Sequence, residues 1–119
     1  MALRKIRLEL ARTKDFPEGS PNCGYEFTAP LTADGHLDAE AWKKNRDACT
    51  VRRFWIGEDE EEGTLLHGRG GRWLFSYAPG DDDDEPIFKF DRHVIKEGEY
   101  ISITEHDGVN RPFRIVSVR

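Results

Sequence analysis

The sequence predicts a single mainly β domain, a small antiparallel barrel or strongly curved sheet of seven to eight strands with one short helix. Three observations predict it. Apolar and polar residues alternate with a period of two along much of the chain. Glycine-containing turns separate these segments. Only one stretch is typical of a helix. A two-sheet β-sandwich is the second choice. No linker or repeat divides the chain, so 1–119 is taken as one domain.

The strand predictions rest on this alternation, because successive residues of a strand point to opposite faces of a sheet. Ile6, Leu8 and Leu10 form the apolar face of the first segment. Pro30 indicates a strand end or an edge, since proline cannot donate to the ladder. A glycine pair at 70–71 predicts a turn. The predicted strands are the segments 6–11, 25–31, 51–56, 64–69, 73–78 and 87–90.

The last two predicted strands, 100–105 and 113–118, form a hairpin. Between them, Asp107 and Gly108 suit a two-residue type I′ turn, because both central positions of that turn need a positive φ. Gly98 supports a further turn just before the first of these strands.

The single helix is predicted at 39–44. Asp38 can cap its start by accepting a backbone N–H, and Leu37 with Trp42 fits a hydrophobic staple. A helix this short is not stable alone, so we expect it to plug an open end of the sheet through Trp42.

Charge is segregated along the chain. The net charge is −5, and the acidic runs 58–62 and 81–85 hold 10 of the 23 acidic residues. The rest is a mildly basic body, so two acidic loops are expected. The overall acidity favours solubility and argues against nucleic acid as the main partner.

The expected setting is the cytoplasm, with no membrane partner. No apolar run is long enough to span a bilayer, and the N-terminus lacks the unbroken apolar stretch of a signal peptide. Cys23 and Cys49 form no C-x-x-C pair and are expected to be free thiols. A monomer or weak dimer is expected.

No strong chemical motif is present. The glycine-rich stretch 68–72 lies between two predicted strands, which favours a hairpin turn over a phosphate cradle. The run 81–85 lacks the ligand spacing of a calcium loop. The four histidines are scattered, and no serine lies in a nucleophile elbow. Arginines near Cys49 could activate its thiol, but a buried structural cysteine is the plainer interpretation. No catalytic residue, metal or cofactor is assigned.

Basic and aromatic residues interleave on the third strand and the following hairpin. Trp73, Phe75 and Tyr77 share one strand face, so a core role is favoured over base stacking. If the fold holds a ligand pocket, aromatic walls and an arginine anchor are expected from this set. The candidate ligand-binding residues are Arg53, Trp55, Arg72, Trp73 and Tyr77.

Four stretches together resemble a set of short bacterial hypothetical proteins. The stretches are DGHLD at 34–38, VRRF at 51–54, GRWLFSY at 71–77 and GEYISITE at 98–105. The resemblance covers the chain from residue 34 onward. It implies a bacterial, cytoplasmic protein, carries no known activity and transfers no catalytic residue.

Three hypotheses of function follow. The first is a non-enzymatic binding or interaction module for a small ligand or another protein, suggested by excess aromatics without a catalytic constellation. The second is a single-stranded nucleic-acid binder that uses the basic–aromatic face. The third is a small enzyme whose site is assembled by folding, which requires at least two of His67, His93, Cys49 and Glu105 to converge.

Overall fold

The computed structural model describes residues 3–68, 72–77, 85–88, 94–105 and 107–119, with side chains described outside 85–88. Eight strands and one α-helix lie in these residues. In chain order they are β1 (Leu3–Leu10), β2 (Ser20–Pro30), α1 (Ala39–Lys44), β3 (Thr50–Phe54), β4 (Glu61–His67), β5 (Trp73–Ser76), β6 (Glu85–Phe88), β7 (Tyr100–Thr104) and β8 (Asn110–Val118). A 3-10 turn at Arg46–Ala48 lies between α1 and β3.

The strands form a closed barrel in which each pairs with its neighbours along the chain. Every pair is antiparallel, and β1 also pairs with β8, so that Leu8 lies opposite Ile115. A Cβ at Gly24 would lie 2.0 Å from the Leu8 carbonyl oxygen, so only glycine allows that close approach of β1 and β2. The predicted barrel is confirmed, and one closed sheet rules out the sandwich.

The barrel interior is filled by the inward-facing half of each strand. Trp73 and Phe75 point inward from β5, as the alternation predicts, with 2% and 0% of their surfaces exposed. Burying such a side chain contributes about 1.5–3 kcal/mol, so the packed interior is the main source of stability. The largest fully buried side chains are Ile6, Leu8, Tyr25, Phe27, Leu65, Phe75, Ile101, Ile103, Phe113 and Ile115.

Helix α1 closes one end of the barrel, as predicted, and we refer to this as the helix end. Asp38 caps α1 by accepting the Ala41 N–H at 3.0 Å. Trp42 is buried and donates its indole N–H to the Leu65 carbonyl at 2.9 Å. Its ring meets that of His67 edge-on. The helix therefore contributes one large apolar side chain and one buried hydrogen bond to the closure.

Several strand boundaries differ from the predicted ones, and β1, β2 and β8 begin three to five residues earlier. Two differences bear on the loops. β3 ends at Phe54 rather than at Ile56, which is 58% exposed. β4 begins at Glu61, so part of the acidic run 58–62 lies in a strand and not in a loop. Arg53 of β3 lies opposite Glu61 in the ladder. Opposite charges facing each other across two strands favour pairing, which explains strand formation by a residue with low strand propensity.

The connection between β7 and β8 is longer than the predicted two-residue turn. The last ladder pair joins Thr104 to Asn110, and the Glu105 N–H then donates to the Val109 carbonyl. The two-residue turn is therefore wrong. Gly108 does take a positive φ of 82°, and its N–H closes the connection by donating to the Glu105 carbonyl.

The two cysteines are buried and free, as predicted. Within the ranges that the structure describes, no helix has the length and apolar character needed to cross a membrane. Several predictions fall outside the described residues, namely the turn at 70–71, the acids at 81–84, the strand residues Lys89 and Phe90, and the roles of Arg69, His93 and His106.

Candidate functional site

The end of the barrel opposite α1 carries the loops 11–19, 55–60 and 105–109, of which all residues except 106 are described, and we refer to it as the loop end. Because neighbouring strands are antiparallel, the connections β1–β2, β3–β4 and β7–β8 share this end. β5 finishes and β6 begins here as well. The strand residues just below these loops are where the barrel interior changes from apolar to charged.

Glu105 is the buried carboxylate at the point where the barrel interior becomes charged. It continues the inward alternation of Ile101 and Ile103 on β7, and it is only 3% exposed. Its Oε2 accepts hydrogen bonds from the Tyr25 hydroxyl and from Arg53 Nε, the latter at 3.0 Å. Its Oε1 accepts one from an Arg111 guanidinium nitrogen at 2.9 Å. Both oxygens are thus engaged, as a buried carboxylate requires.

Arg53 is the main cation of the cluster, and it is 5% exposed. It alternates with Val51 on β3 and therefore points into the barrel. A second nitrogen of its guanidinium donates to Glu58 at 3.0 Å. Burial alone lowers the pKa of Arg53, but the charge and hydrogen bond of Glu105 outweigh it, so the pKa is raised. Arg53 remains a cation inside the protein.

Arg111 joins the cluster to the third loop. Its guanidinium donates to Asp107 at 3.0 Å as well as to Glu105. Burial lowers the pKa of Arg111, but the Asp107 hydrogen bond and the two carboxylate charges raise it by more. The buried carboxylate therefore has two arginine partners, and each arginine also binds an exposed carboxylate.

The ring of Trp55 lies against both arginines. The guanidinium carbon is 4.6 Å from the ring centre for Arg53 and 5.6 Å for Arg111, within range of cation–π attraction. Phe16 and Phe113 meet the same ring edge-on, at 6.4 and 6.5 Å. We refer to Tyr25, Arg53, Trp55, Glu105 and Arg111 as the charged cluster. It contacts all three loops, through Phe16, Glu58 and Asp107.

The charged groups of the cluster are bonded to one another and not to the predicted catalytic partners. In the part of the chain that the structure describes, Glu105 hydrogen-bonds neither His67 nor Cys49. His67 instead stacks on Trp73 at the helix end, with ring centres 4.2 Å apart. Cys49 is fully buried, and burial raises the pKa of its thiol, which opposes the activation that nearby arginines could have given.

The five candidate ligand-binding residues do not share one pocket. Arg53 and Trp55 lie together at the loop end, and the half-buried Tyr77 follows β5 there. Trp73 is buried at the helix end against His67 and Trp42. Arg72 is exposed. Trp73 and Arg53 both point inward, but they lie at opposite ends of the barrel, and this distance along the barrel separates them.

Sequence reasoning left Tyr25 and Arg111 out of the site and considered Glu105 only as a catalytic group. A signal for the cluster existed. Arg53 and Glu105 are charged residues at positions where the period of two requires an inward side chain. Two opposite charges at inward positions predict a buried ion pair, because neither would be buried alone.

The basic–aromatic residues predicted to stack bases are divided between two faces of the wall. Phe54 lies on the outside, under the guanidinium groups of Arg7 at 4.4 Å and Arg52 at 5.4 Å. Both arginines also form ion pairs with Glu26. Trp73 faces the interior. The outer aromatic ring is therefore covered by side chains that already have partners.

The described side chains contain no group of three or more His, Cys, Asp or Glu residues that could hold a metal ion. Outside the lumen, a groove of about 480 Å³ on the outer wall is lined by residues including Glu26, Arg52 and Thr64.

No family model, no curated protein and no solved structure matches this chain.

Proposed function

We propose that this protein is a non-enzymatic interaction module that docks a basic protein partner through its loop end. The observation that carries the proposal is the charged cluster, which ties three loops to the barrel wall. Two of these loops carry exposed apolar side chains, Ile56 at 58% and Val109 at 46%. A surface that exposes apolar side chains on well-anchored loops is what a docking interface needs.

The anchoring of the loops supports this role. Glu58 is bound by Arg53, and Asp107 is bound by Arg111, so each loop is held by a charge-assisted hydrogen bond to the cluster. Loops held in place before binding lose less conformational entropy when a partner docks. An enzyme site would instead need a polar group left free to react, whereas the carboxylate and both guanidinium groups here are engaged.

The charge of the loops favours a basic partner. Loops 11–19, 55–60 and 105–109 together expose six acidic residues and only two Lys or Arg residues, since the seventh acid, Glu105, is buried. Complementary charge steers association and selects partners. The same acidity repels phosphate groups, which makes a nucleic acid the weaker candidate at this end.

The filled lumen favours a protein over a small ligand inside the barrel. The ring of Tyr25, whose hydroxyl belongs to the charged cluster, fills the interior together with the ring of Phe113, and both residues are fully buried. Their rings lie 5.1 Å apart and meet edge-on, a packed arrangement. A barrel of about eight strands can be filled by side chains in this way.

The proposed setting is the bacterial cytoplasm, as the resemblance implies. Two free, buried thiols fit a reducing compartment. We also propose that the chain is a monomer or weak dimer when alone, because a closed barrel offers no strand edge for pairing.

Site-specific photo-crosslinking in cells tests the docking proposal. A photoreactive amino acid replaces Ile56 or Val109 in the full chain, with Glu40 on the exposed face of α1 as the control position. Expected is one basic protein crosslinked from both loop positions and not from position 40. Equal labelling from position 40, or no shared product from 56 and 109, would contradict the proposal.

The crosslinked partner is then purified and titrated against the protein. The substitution Ile56→Asp is expected to weaken binding, because it places a charge in the apolar contact. Binding should also weaken as salt rises, since the loops are acidic. A partner whose affinity changes in neither experiment would show that the loop end is not its docking surface.

A further inference from the structure

A groove of about 430 Å³ lies on the outer wall where β1 and β8 meet, next to the loop that follows β1. Its apolar lining includes Ala11, Pro21, Pro112 and Val116, and the ring of Tyr100 stands at its side. Tyr100 is 56% exposed, although it is one of the large apolar side chains of the chain. A groove of this volume, lined by apolar and charged side chains together, has the size of a small-molecule site.

The strand register places an arginine in the middle of this groove. Arg114 lies opposite Tyr100 on one side and opposite Glu9 on the other. Glu9 is held by Arg7 within its own strand, at 2.8 Å, so it is drawn away from Arg114. Arg114 is exposed and forms no hydrogen bond or ion pair with any described residue.

A second arginine borders the groove in the same state. Arg12 also lines it, is exposed, and has no bonded partner among the residues described. Glu18 is the remaining free charge of the lining. Because Glu9 is bound by Arg7, the unpaired charges of the groove are two guanidinium groups and one carboxylate. Cations thus outnumber anions among its unpaired charges, on a chain whose net charge is −5.

This arrangement differs from that of Arg52 and Arg53, the two arginines of β3 that lie over aromatic rings. Arg52 and Arg53 both bind carboxylates. Unpaired guanidinium groups beside an exposed tyrosine ring and an apolar floor have the chemistry of a receptor for an anion with an apolar body. A guanidinium fork matches a carboxylate or phosphate, and a flat body can stack on the tyrosine ring.

We propose that this groove binds a small organic anion, with its carboxylate or phosphate on Arg114 and Arg12 and its flat apolar body against Tyr100 and Val116. Such a ligand would make charge-assisted hydrogen bonds at one end and bury apolar surface at the other. The groove borders the loop end through Arg12 and Glu18 of loop 11–19. Its proposed ligand does not depend on the protein partner proposed above.

Titration followed by amide NMR tests the proposal on the full chain. The probes are 2-naphthoate and 2-naphthyl phosphate, with 2-naphthylmethanol as the neutral analogue of the same shape. Expected are saturable shifts at Tyr100, Arg114 and Val116 with the anions, and binding of the neutral analogue weaker by about tenfold or more. The anion that binds with the higher affinity shows whether the groove prefers a carboxylate or a phosphate. Equal binding of the neutral analogue would overturn the proposal.

Matched variants decide whether the groove itself is responsible. Arg114→Ala and Tyr100→Ala each remove an exposed side chain, so the barrel should stay folded, and each should weaken anion binding. Arg46→Ala removes an exposed arginine outside the groove lining and should leave binding unchanged. Shifts confined to other residues, unchanged affinity in Arg114→Ala, or no shift with millimolar probe would each overturn the proposal.

Discussion

The two ends of the barrel are closed by different chemistry. At the helix end, Trp42 of α1 packs on His67 and Trp73 and makes one hydrogen bond to the wall. At the loop end, Glu105 is held by Arg53 and by other donors of the charged cluster. The walls between the two ends are continuous apolar core. The same set of strands thus supports an apolar plug at one end and a buried ion cluster at the other.

The difference shows what each kind of closure is suited to. An apolar plug gains free energy from area removed from water and tolerates small changes in geometry. A buried ion pair offers little net stability, because desolvation offsets the attraction between its charges. Its directional hydrogen bonds, however, fix the loops that carry Glu58 and Asp107. The ion cluster therefore positions these two loops, whereas the apolar plug closes its end of the barrel by packing.

The largest expected effect comes from breaking the ion cluster. Glu105→Ala leaves Arg53 buried without its main counterion, so the free energy of unfolding should fall by about 3–5 kcal/mol. Urea denaturation measures it. Asp107→Asn is the matched control, since it removes an exposed partner of Arg111 and should cost less than about 1 kcal/mol. Similar losses in both variants would contradict the central role of Glu105.

A double variant separates stability from positioning. Arg53→Met with Glu105→Leu removes both charges together and should be more stable than Glu105→Ala alone, because no buried charge remains unpaired between them. If the double variant is no more stable than Glu105→Ala, an unpaired buried arginine is not the cause of the loss in Glu105→Ala. The attraction between the two charges then contributes to the free energy of unfolding of the natural protein. In either case the loop amides of the double variant should exchange faster than in the natural protein.

A smaller effect is expected at the helix end. Trp42→Phe keeps an aromatic ring but removes the indole N–H, which leaves the buried Leu65 carbonyl without that donor. The expected loss is about 1–3 kcal/mol. The loss is measured by urea denaturation, with hydrogen exchange of α1 as a second readout. A loss above that of Glu105→Ala would reverse the ranking of the two ends.

The sequence predicted the helix end better than the loop end, for a physical reason. A cap at Asp38 and the apolar pair Leu37 and Trp42 are local signals within six residues, so α1 was predicted with its observed bounds. The strand alternation also predicted the inward rings of β5. Such signals depend only on near neighbours in the chain.

The charged cluster depends on residues far apart in the chain. Tyr25 and Glu105 are separated by 80 positions, and their contact requires the barrel to close. The acidic run at 58–62 looked like a loop because strand propensity ignores the arginines opposite it on β3. The inward positions of Arg53 and Glu105 were readable from the alternation, but their pairing was not, since register between distant strands is a property of the whole sheet.

A further prediction tests the cap of the helix end. Asp38→Ala removes the acceptor for the Ala41 N–H, so the protein should lose about 1 kcal/mol, within the range seen for helix caps. Thermal unfolding measures the loss, and Asp38→Asn should restore much of it because an amide oxygen can also cap. If Ala and Asn behave alike, α1 is held by Trp42 and not by its cap.

The smallest expected effect is a dependence of stability on alkaline pH, which should arise at the helix end and not at the loop end. The buried thiol of Cys49 precedes β3 at the helix end, and burial raises its pKa above the ordinary value of 9.0. The folded chain therefore keeps this thiol neutral at a pH where the unfolded chain ionises it, and its contribution to stability is lost as pH rises above that value. The arginines of the loop end stay charged throughout this range.

Urea denaturation at several values between about pH 8 and about pH 10 should show a steeper fall in stability for the natural protein than for Cys49→Ala. The slopes are compared rather than the stabilities, because the substitution also removes packing. Hydrogen exchange should become faster first at α1, because two hydrogen bonds link Cys49 to this helix. The Cys49 carbonyl accepts the Leu65 N–H, and the Leu65 carbonyl accepts the indole N–H of Trp42. Equal slopes, or earlier opening of the β7–β8 loop, would place the alkaline weak point at the charged cluster instead.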